Sequence, residues 1–182
     1  KKSVDIAKRV RAKWMTVVPG SIDQSTGKRY GGSRLAAGFQ LGNVVDMLRR
    51  CAEVLEPHEL VMVLEPLNWN ADHGGVFLEH SDQAYAICRS VNSPACKILF
   101  DIYHQQISEG HVIHRIVSNI DKIGHFHAAG NPGRHELTRG EIAYPQILDA
   151  IRTTDYSGFI ALEYWPVGAP ETGLAEVASW FG

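Results

Sequence analysis

Four residues able to bind a cation recur along this chain at intervals close to one strand-plus-helix unit. They are Glu65, Asp101, His127 and Glu163, separated by 36, 26 and 36 residues. Each stands at the C-terminal end of a short apolar run: Leu60 to Leu64, Lys97 to Phe100, Ile123 to Ala128 and Phe159 to Leu162. Taken singly, a carboxylate at a strand end is better explained as a helix cap or a loop residue. Four in register, one per strand, favour a shared site. Three carboxylates and an imidazole gathered in one place repel strongly without a cation, and those donors suit a hard or borderline divalent metal such as Mg, Mn or Zn.

The richest stretch is Ile123 to Glu141, IGHFHAAGNPGRHELTRGE. His125 and His127 occupy alternate positions of a strand and so share one face of the sheet. The strand breaks at Gly130-Asn131-Pro132-Gly133 into a loop carrying Arg134, His135 and Glu136. A lone strand histidine is usually hydrogen-bonded and binds nothing; the other strand-end ligands change that balance. His125, one step deeper than His127, is expected to support it or belong to the core.

These positions need a parallel sheet, and the periodicity predicts one. Val4 to Arg11 reads as a short helix before a strand at Trp14 to Val18, which Pro19-Gly20 stops. Residues 21–33, SIDQSTGKRYGGS, read as a long polar loop. Leu35 to Leu55 has apolar residues at helical spacing. Leu60 to Leu64 is continuously apolar, as expected for a strand buried on both faces. Ser81 to Val91 reads as a helix with Ser81 as its N-cap. Strands at Lys97–Phe100 and Ile123–Ala128 flank a helix at Val112 to Asn119. A helix at Tyr144 to Thr153, a strand at Phe159 to Leu162 and a helix at Gly173 to Phe181 close the order. Strand and helix alternate through five strands, which implies right-handed parallel crossovers in one domain spanning residues 1–182. The C-terminal strand ends would then converge on one rim.

The 182 residues are 45% hydrophobic, with 18 basic and 20 acidic side chains for a formal charge of −2. That balance gives no support for nucleic-acid binding. No apolar run approaches the roughly 18 residues a membrane helix needs, so no membrane association is expected. Cys51, Cys88 and Cys96 are too few and scattered for a disulfide framework. They are expected to be buried free thiols, consistent with a reducing, cytoplasmic setting. The N-terminus has no apolar signal core and no initiator Met, so the chain is expected to be processed or part of a longer polypeptide.

The segments LEPLN at 64–68, DIYHQQ at 101–106, GHFHAAGNPGRHE at 124–136, GEIAYPQI at 140–147 and YSGFIALEYWP at 156–166 resemble the hydroxypyruvate isomerase family. That family lies within the xylose isomerase-like TIM barrels, with the ketose 3-epimerases and endonuclease IV. The resemblance implies a (β/α)8 barrel and an isomerase or epimerase acting on a small sugar or hydroxy-ketoacid. It makes Glu65, Asp101, His127 and Glu163 the metal ligands, with Mn²⁺ or Mg²⁺ first and Zn²⁺ or Co²⁺ second. It also makes Glu65 and Glu163 the acid/base pair, and His104 and Arg134 substrate-binding residues. In one departure, hydroxypyruvate isomerases usually carry glutamine where this chain has His127, and the related epimerases carry histidine.

Such a site polarises a carbonyl and acidifies the adjacent C–H. One glutamate removes that proton to give an enediolate, and a carboxylic acid on the other side returns it. Return to the neighbouring carbon isomerises; return to the opposite face of the same carbon epimerises. The same chemistry admits a lyase or dehydratase acting on a 3-keto sugar or keto-inositol. A non-catalytic sugar-binding subunit is the third reading, against which the intact glutamates argue.

His104 is equally explained as a substrate contact or as a partner orienting Asp101. Arg134 anchors substrate or pairs with Glu136 or Glu141 to hold its loop; for Glu141 the structural role is favoured. His73, with Trp69, could line the sugar pocket. His58, His80, His111 and His114 read as surface residues, and Trp14, Trp165 and Trp180 as core.

An eight-stranded barrel takes about 250 residues, and five strands alone leave two open edges. The chain therefore reads as the C-terminal βα units of a barrel. Either N-terminal units precede it in a longer polypeptide, or a partner subunit, as in a homo-oligomer, covers the edges.

Overall fold

The computed structural model describes residues 2–20 and 36–181, together with the backbone of two short strands between them. Its elements alternate as the periodicity requires. Helix α1 (Lys2–Val10) leads to β1 (Trp14–Val17); a small antiparallel hairpin follows, β2 (Ile22–Asp23) with β3 (Lys28–Arg29). Apart from that hairpin, the long loop expected at 21–33 lies outside the described residues. Then come α2 (Ala37–Leu55), β4 (Val61–Leu64), α3 (Ser81–Val91) and β5 (Cys96–Asp101). Two short helices, α4 (Ile102–Ser108) and α5 (Val112–Ser118), precede β6 (Ile123–Ala128). Helix α6 (Tyr144–Arg152), β7 (Ile160–Leu162) and α7 (Pro170–Ala178) complete the chain.

The five long-range strands form one sheet in the order β1-β4-β5-β6-β7, and every neighbouring pair is parallel. This is the arc of an unclosed barrel, with β1 and β7 as its edges. Alternation splits the strand residues between two faces. Met62, Leu64, Ile98, Phe100, Phe126 and Ala128 join Leu48, Leu55, Ile87, Ile116, Ile147 and Ile151 from the helices in one apolar cluster. Val63 and Leu99 are fully buried outside that cluster, on the opposite, concave face.

One irregularity decides where the histidines point. In the β5–β6 pairing Ile98 lies opposite Ile123, but Leu99 lies opposite His125, so Gly124 is an extra residue in β6. A bulge of this kind resets the alternation. Ile123 packs in the helix-side cluster, whereas His125 and His127 turn to the concave face beside Leu99 and Asp101. Only glycine fits at the insertion: a Cβ there would lie 2.9 Å from Val63 Cγ1 and 3.0 Å from Lys97 Cβ.

Several expectations need correction. Ser81 is the first residue of α3 rather than its cap; His80 holds the cap position without a side-chain bond, and the Ser81 hydroxyl donates to Glu109. The chain has a helix, α4, where none was predicted. Its residues Ile102 to Gln105 are all buried, so it presents no polar face for a 3.6-residue pattern to reveal. Trp165 is 74% exposed rather than core. Trp14 and Trp180 are half-buried, as is the Cys51 thiol, while Cys88 and Cys96 are buried as expected. The last helix begins at Pro170, three residues earlier than predicted, because Pro sits well in a first turn.

Gly124→Ala is expected to lower stability by about 1–3 kcal/mol, the usual cost of overpacking. Urea denaturation measures it; a variant as stable as the wild type would mean the bulge is not confined by Val63 and Lys97.

Candidate metal centre

Each candidate ligand is set by a different strand end. Glu65 follows β4, and its N–H donates to Val17 O at 3.1 Å. Asp101 ends β5 and caps α4: its Oδ1 accepts from Tyr103 N at 2.9 Å. Capping occupies one carboxylate oxygen and leaves Oδ2 turned to the concave face. His127 lies opposite Asp101 in β6. Glu163 follows β7, its N–H donating to Ala128 O at 3.0 Å. The four residues that the spacing singled out thus meet: one ligand atom from each lies within 4.8 Å of the other three.

The packing around them is polar and specific. The Tyr144 hydroxyl donates to Ala129 O at 2.7 Å and accepts from Ala129 N at 2.9 Å, tying α6 to the end of β6. Gln105 Nε2 donates to Pro66 O at 3.1 Å, while its Oε1 accepts from Ser81 N at 3.1 Å. That side chain holds the loop after β4 against α4. These bonds place the ligand-bearing ends rather than the ligands themselves.

His127 Nδ1 lies 2.9 Å from Glu163 Oε2 and 3.4 Å from Glu65 Oε1. It is nevertheless aligned for a hydrogen bond with neither. Donor atoms this close to one another are what a shared cation requires, and the donor set, three carboxylates and one imidazole, suits a divalent metal. The ligand set therefore fits.

Within the protein, the carboxylate charge is met by a proton and by arginine. Burial disfavours a charged His127, but Glu163 and Glu65 outweigh it and raise the ring to about 10. Contact with His127 leads the lowering of Glu163 to about 2; burial opposes it, and Arg134 adds to it. Asp101, fully buried, rises to about 7 through burial and then the repulsion of Glu65, with Arg134 and His127 opposing.

Arg134 does not pair with Glu136 or Glu141 as one reading of its loop expected. Glu136 meets Arg139 at 3.2 Å, and Glu141 accepts from Asn131 Nδ2 at 2.6 Å. Arg134 instead reaches across the site, its Nη2 lying 2.8 Å from Glu163 Oε2 and 3.4 Å from Asp101 Oδ2. Its guanidinium also lies 5.1 Å from the centre of the Tyr103 ring. The backbone here is left-handed (φ 54°), and Arg134 O accepts from Trp165 N at 2.8 Å, which locks the loop to the end of β7.

His104 is fully buried, with Nε2 3.5 Å from Asp101 Oδ2. Burial leads the lowering of its pKa to about 3, so the ring is neutral. His73 packs edge-on against it at 5.2 Å between ring centres, while Trp69 is exposed at 39%. His125 sits deeper, 5.4 Å from the His127 ring and against Trp14 at 5.6 Å. His58, His80, His111 and His114 are exposed, as expected. Asn68, Asp72 and Tyr103 were not singled out. Asn68 is fully buried and bonds both Asp72 and His104; its signal was its place at the end of the LEPLN segment.

Residues 1–182 match the family model described as xylose isomerase-like TIM barrel. The chain is 37% identical over 123 residues to a 2-oxo-tetronate isomerase of Cupriavidus necator, covering 68% of this chain and 47% of that protein. It is 36% identical over 142 residues to hydroxypyruvate isomerase of Escherichia coli, covering 76% of this chain and 55% of that protein. The chain therefore spans about half the length of the curated relatives it matches. Among solved structures, AP endonuclease, family 2, from Brucella melitensis superposes with a TM-score of 0.82 at 28% identity, covering 98% of this chain and 66% of that one. Among the described residues, no helix is long and apolar enough to cross a membrane.

A metal ligand must shed its proton. His127 holds one up to about pH 10, and Asp101 a second below about pH 7. Mn²⁺ affinity is therefore expected to rise with pH, about tenfold per unit for each proton released. Calorimetric titration in buffers of different ionisation enthalpy reads the release directly. Equal affinity at about pH 6 and pH 9 would contradict the assignment of His127.

Proposed function

The chain belongs to the xylose isomerase-like TIM barrel family, and we propose that it is the ligand-bearing part of a divalent-metal-dependent isomerase or epimerase. The substrate class is a short compound with a hydroxyl beside a carbonyl, such as the hydroxypyruvate or 2-oxo-tetronate named for its relatives. The observation that carries this reading is the convergence of Glu65, Asp101, His127 and Glu163 within 4.8 Å. In the same reading, the five βα units are the C-terminal units of an eight-stranded barrel, and Mn²⁺ or Mg²⁺ is the preferred ion for an oxygen-rich donor set.

A divalent cation held there supplies the positive charge that polarises a carbonyl and acidifies the neighbouring C–H. The protein's own groups do the rest. Glu163 is in its ionised form, the form a base needs, and exchange of its His127 and Arg134 contacts for the cation and substrate would release it to accept a proton. Its side chain is about half exposed (52%), whereas that of Glu65 is nearly buried (9%). The two glutamates flank His127, so the C–H proton leaves to one carboxylate and a proton returns from the other. Return to the adjacent carbon exchanges aldehyde and ketone positions; return to the opposite face of the original carbon inverts it. Arg134, already drawn to Glu163 and Asp101, pairs with a carboxylate or hydroxyl of the substrate. Asp101 is too buried, and too committed to its cap, to exchange protons with it.

Glu163→Gln keeps the shape and removes the base. It is expected to cut kcat by about 10²–10⁴-fold with an unchanged circular dichroism spectrum. Assays on hydroxypyruvate, ketoses and 3-keto glycosides check it; wild-type turnover in the variant would exclude the acid/base role. A product that has lost water would instead identify a dehydratase on the same site.

A further inference from the structure

We infer that Asn68 is a positioning residue that fixes the tautomer of His104, so that the ring carries its hydrogen on the buried Nε2 that faces Asp101. The consequence for turnover rests on the function proposed above; the tautomer itself does not.

The inference follows from counting donors and acceptors. Asn68 Oδ1 accepts two backbone N–H bonds, from Ala71 and Asp72, each at 3.0 Å. That pair of donors fixes which end of the amide is oxygen, so the side chain cannot be turned over. Its Nδ2 then has two hydrogens to place. One goes to Asp72 Oδ2 at 2.9 Å. The other faces His104 Nδ1 at 2.6 Å. The Asn68 backbone N–H also approaches the same nitrogen, at 3.4 Å. A nitrogen met by two donors is an acceptor and carries no hydrogen. The ring's one proton is therefore on Nε2.

Nε2 is fully buried and has no hydrogen-bond partner among the described residues. Asp101 Oδ2, at 3.5 Å, stops short of it. A buried donor left unpaired is unfavourable, and here the acceptor that faces it is one of the candidate ligands, Asp101. A small shortening of that distance pairs the Nε2–H with Asp101 Oδ2 and orients the carboxylate oxygen that the candidate centre uses. His73, edge-on to the ring at 5.2 Å, limits its rotation.

The test is ¹⁵N nuclear magnetic resonance of the histidine rings in the full chain, where the two nitrogens of a neutral ring give distinct shifts. His104 is expected with its hydrogen on Nε2. In Asn68→Asp the carboxylate can only accept, so the hydrogen is expected to move to Nδ1 and kcat to fall at least tenfold. A wild-type His104 protonated at Nδ1, or an unmoved hydrogen in Asn68→Asp, overturns the inference. The wild-type spectrum alone decides the first point if the variant does not fold. Movement of the hydrogen with kcat unchanged removes the catalytic consequence. Absence of isomerase or epimerase turnover in the wild type would instead count against the proposed function, with the tautomer still read from the spectrum.

Discussion

Carboxylates brought within a few ångströms of one another on a buried face are stable only beside positive charge, and the arrangement at the strand ends follows from that requirement. Glu65, Asp101 and Glu163 are delivered there by three different strands. Two internal cations answer them: an imidazolium at His127 and the guanidinium of Arg134. Neither is an ideal counter-ion. His127 touches two carboxylates without aligning to either, and Arg134 spans two ligands from a loop. A divalent ion would replace both arrangements with one, releasing protons from the ring and freeing Arg134 to meet a substrate.

The fold serves this centre through small, local devices. The extra residue at Gly124 sends His125 and His127 to the concave face although Ile123 packs among the helices. Capping of α4 by Asp101 immobilises the carboxylate and gives one oxygen to the helix and the other to the site. Gln105 then pins the loop that carries Asn68. Helix, loop and ligand are thus joined by polar contacts at the rim, while the apolar cluster on the other face supplies the bulk of the packing.

Much of this was legible in the residues. A continuous apolar run at 60–64 and the alternation of 123–128 revealed two of the strands, and spacing of about one βα unit revealed the shared rim. What escaped did so for physical reasons. Helix α4 buries its polar residues in a network, so it lacks an amphipathic stripe. Ser81 looked like a cap because its type favours caps, yet Glu109 competes for its hydroxyl. Arg134 could not be paired from sequence, because its partners are 33 and 29 residues away while plausible carboxylates lie in its own loop. The bulge leaves no pattern beyond a glycine in a strand. Asn68 matters through a hydrogen-bond count, which needs coordinates.

The central claim is that four side chains share one cation. Crystals of the protein grown with Mn²⁺, with anomalous diffraction measured at the manganese edge, test it most directly. The expected result is a single strong peak about 2.0–2.2 Å from one oxygen each of Glu65, Asp101 and Glu163 and from His127 Nδ1. A peak elsewhere, or none at that point with His127 still paired to the two glutamates, would contradict it.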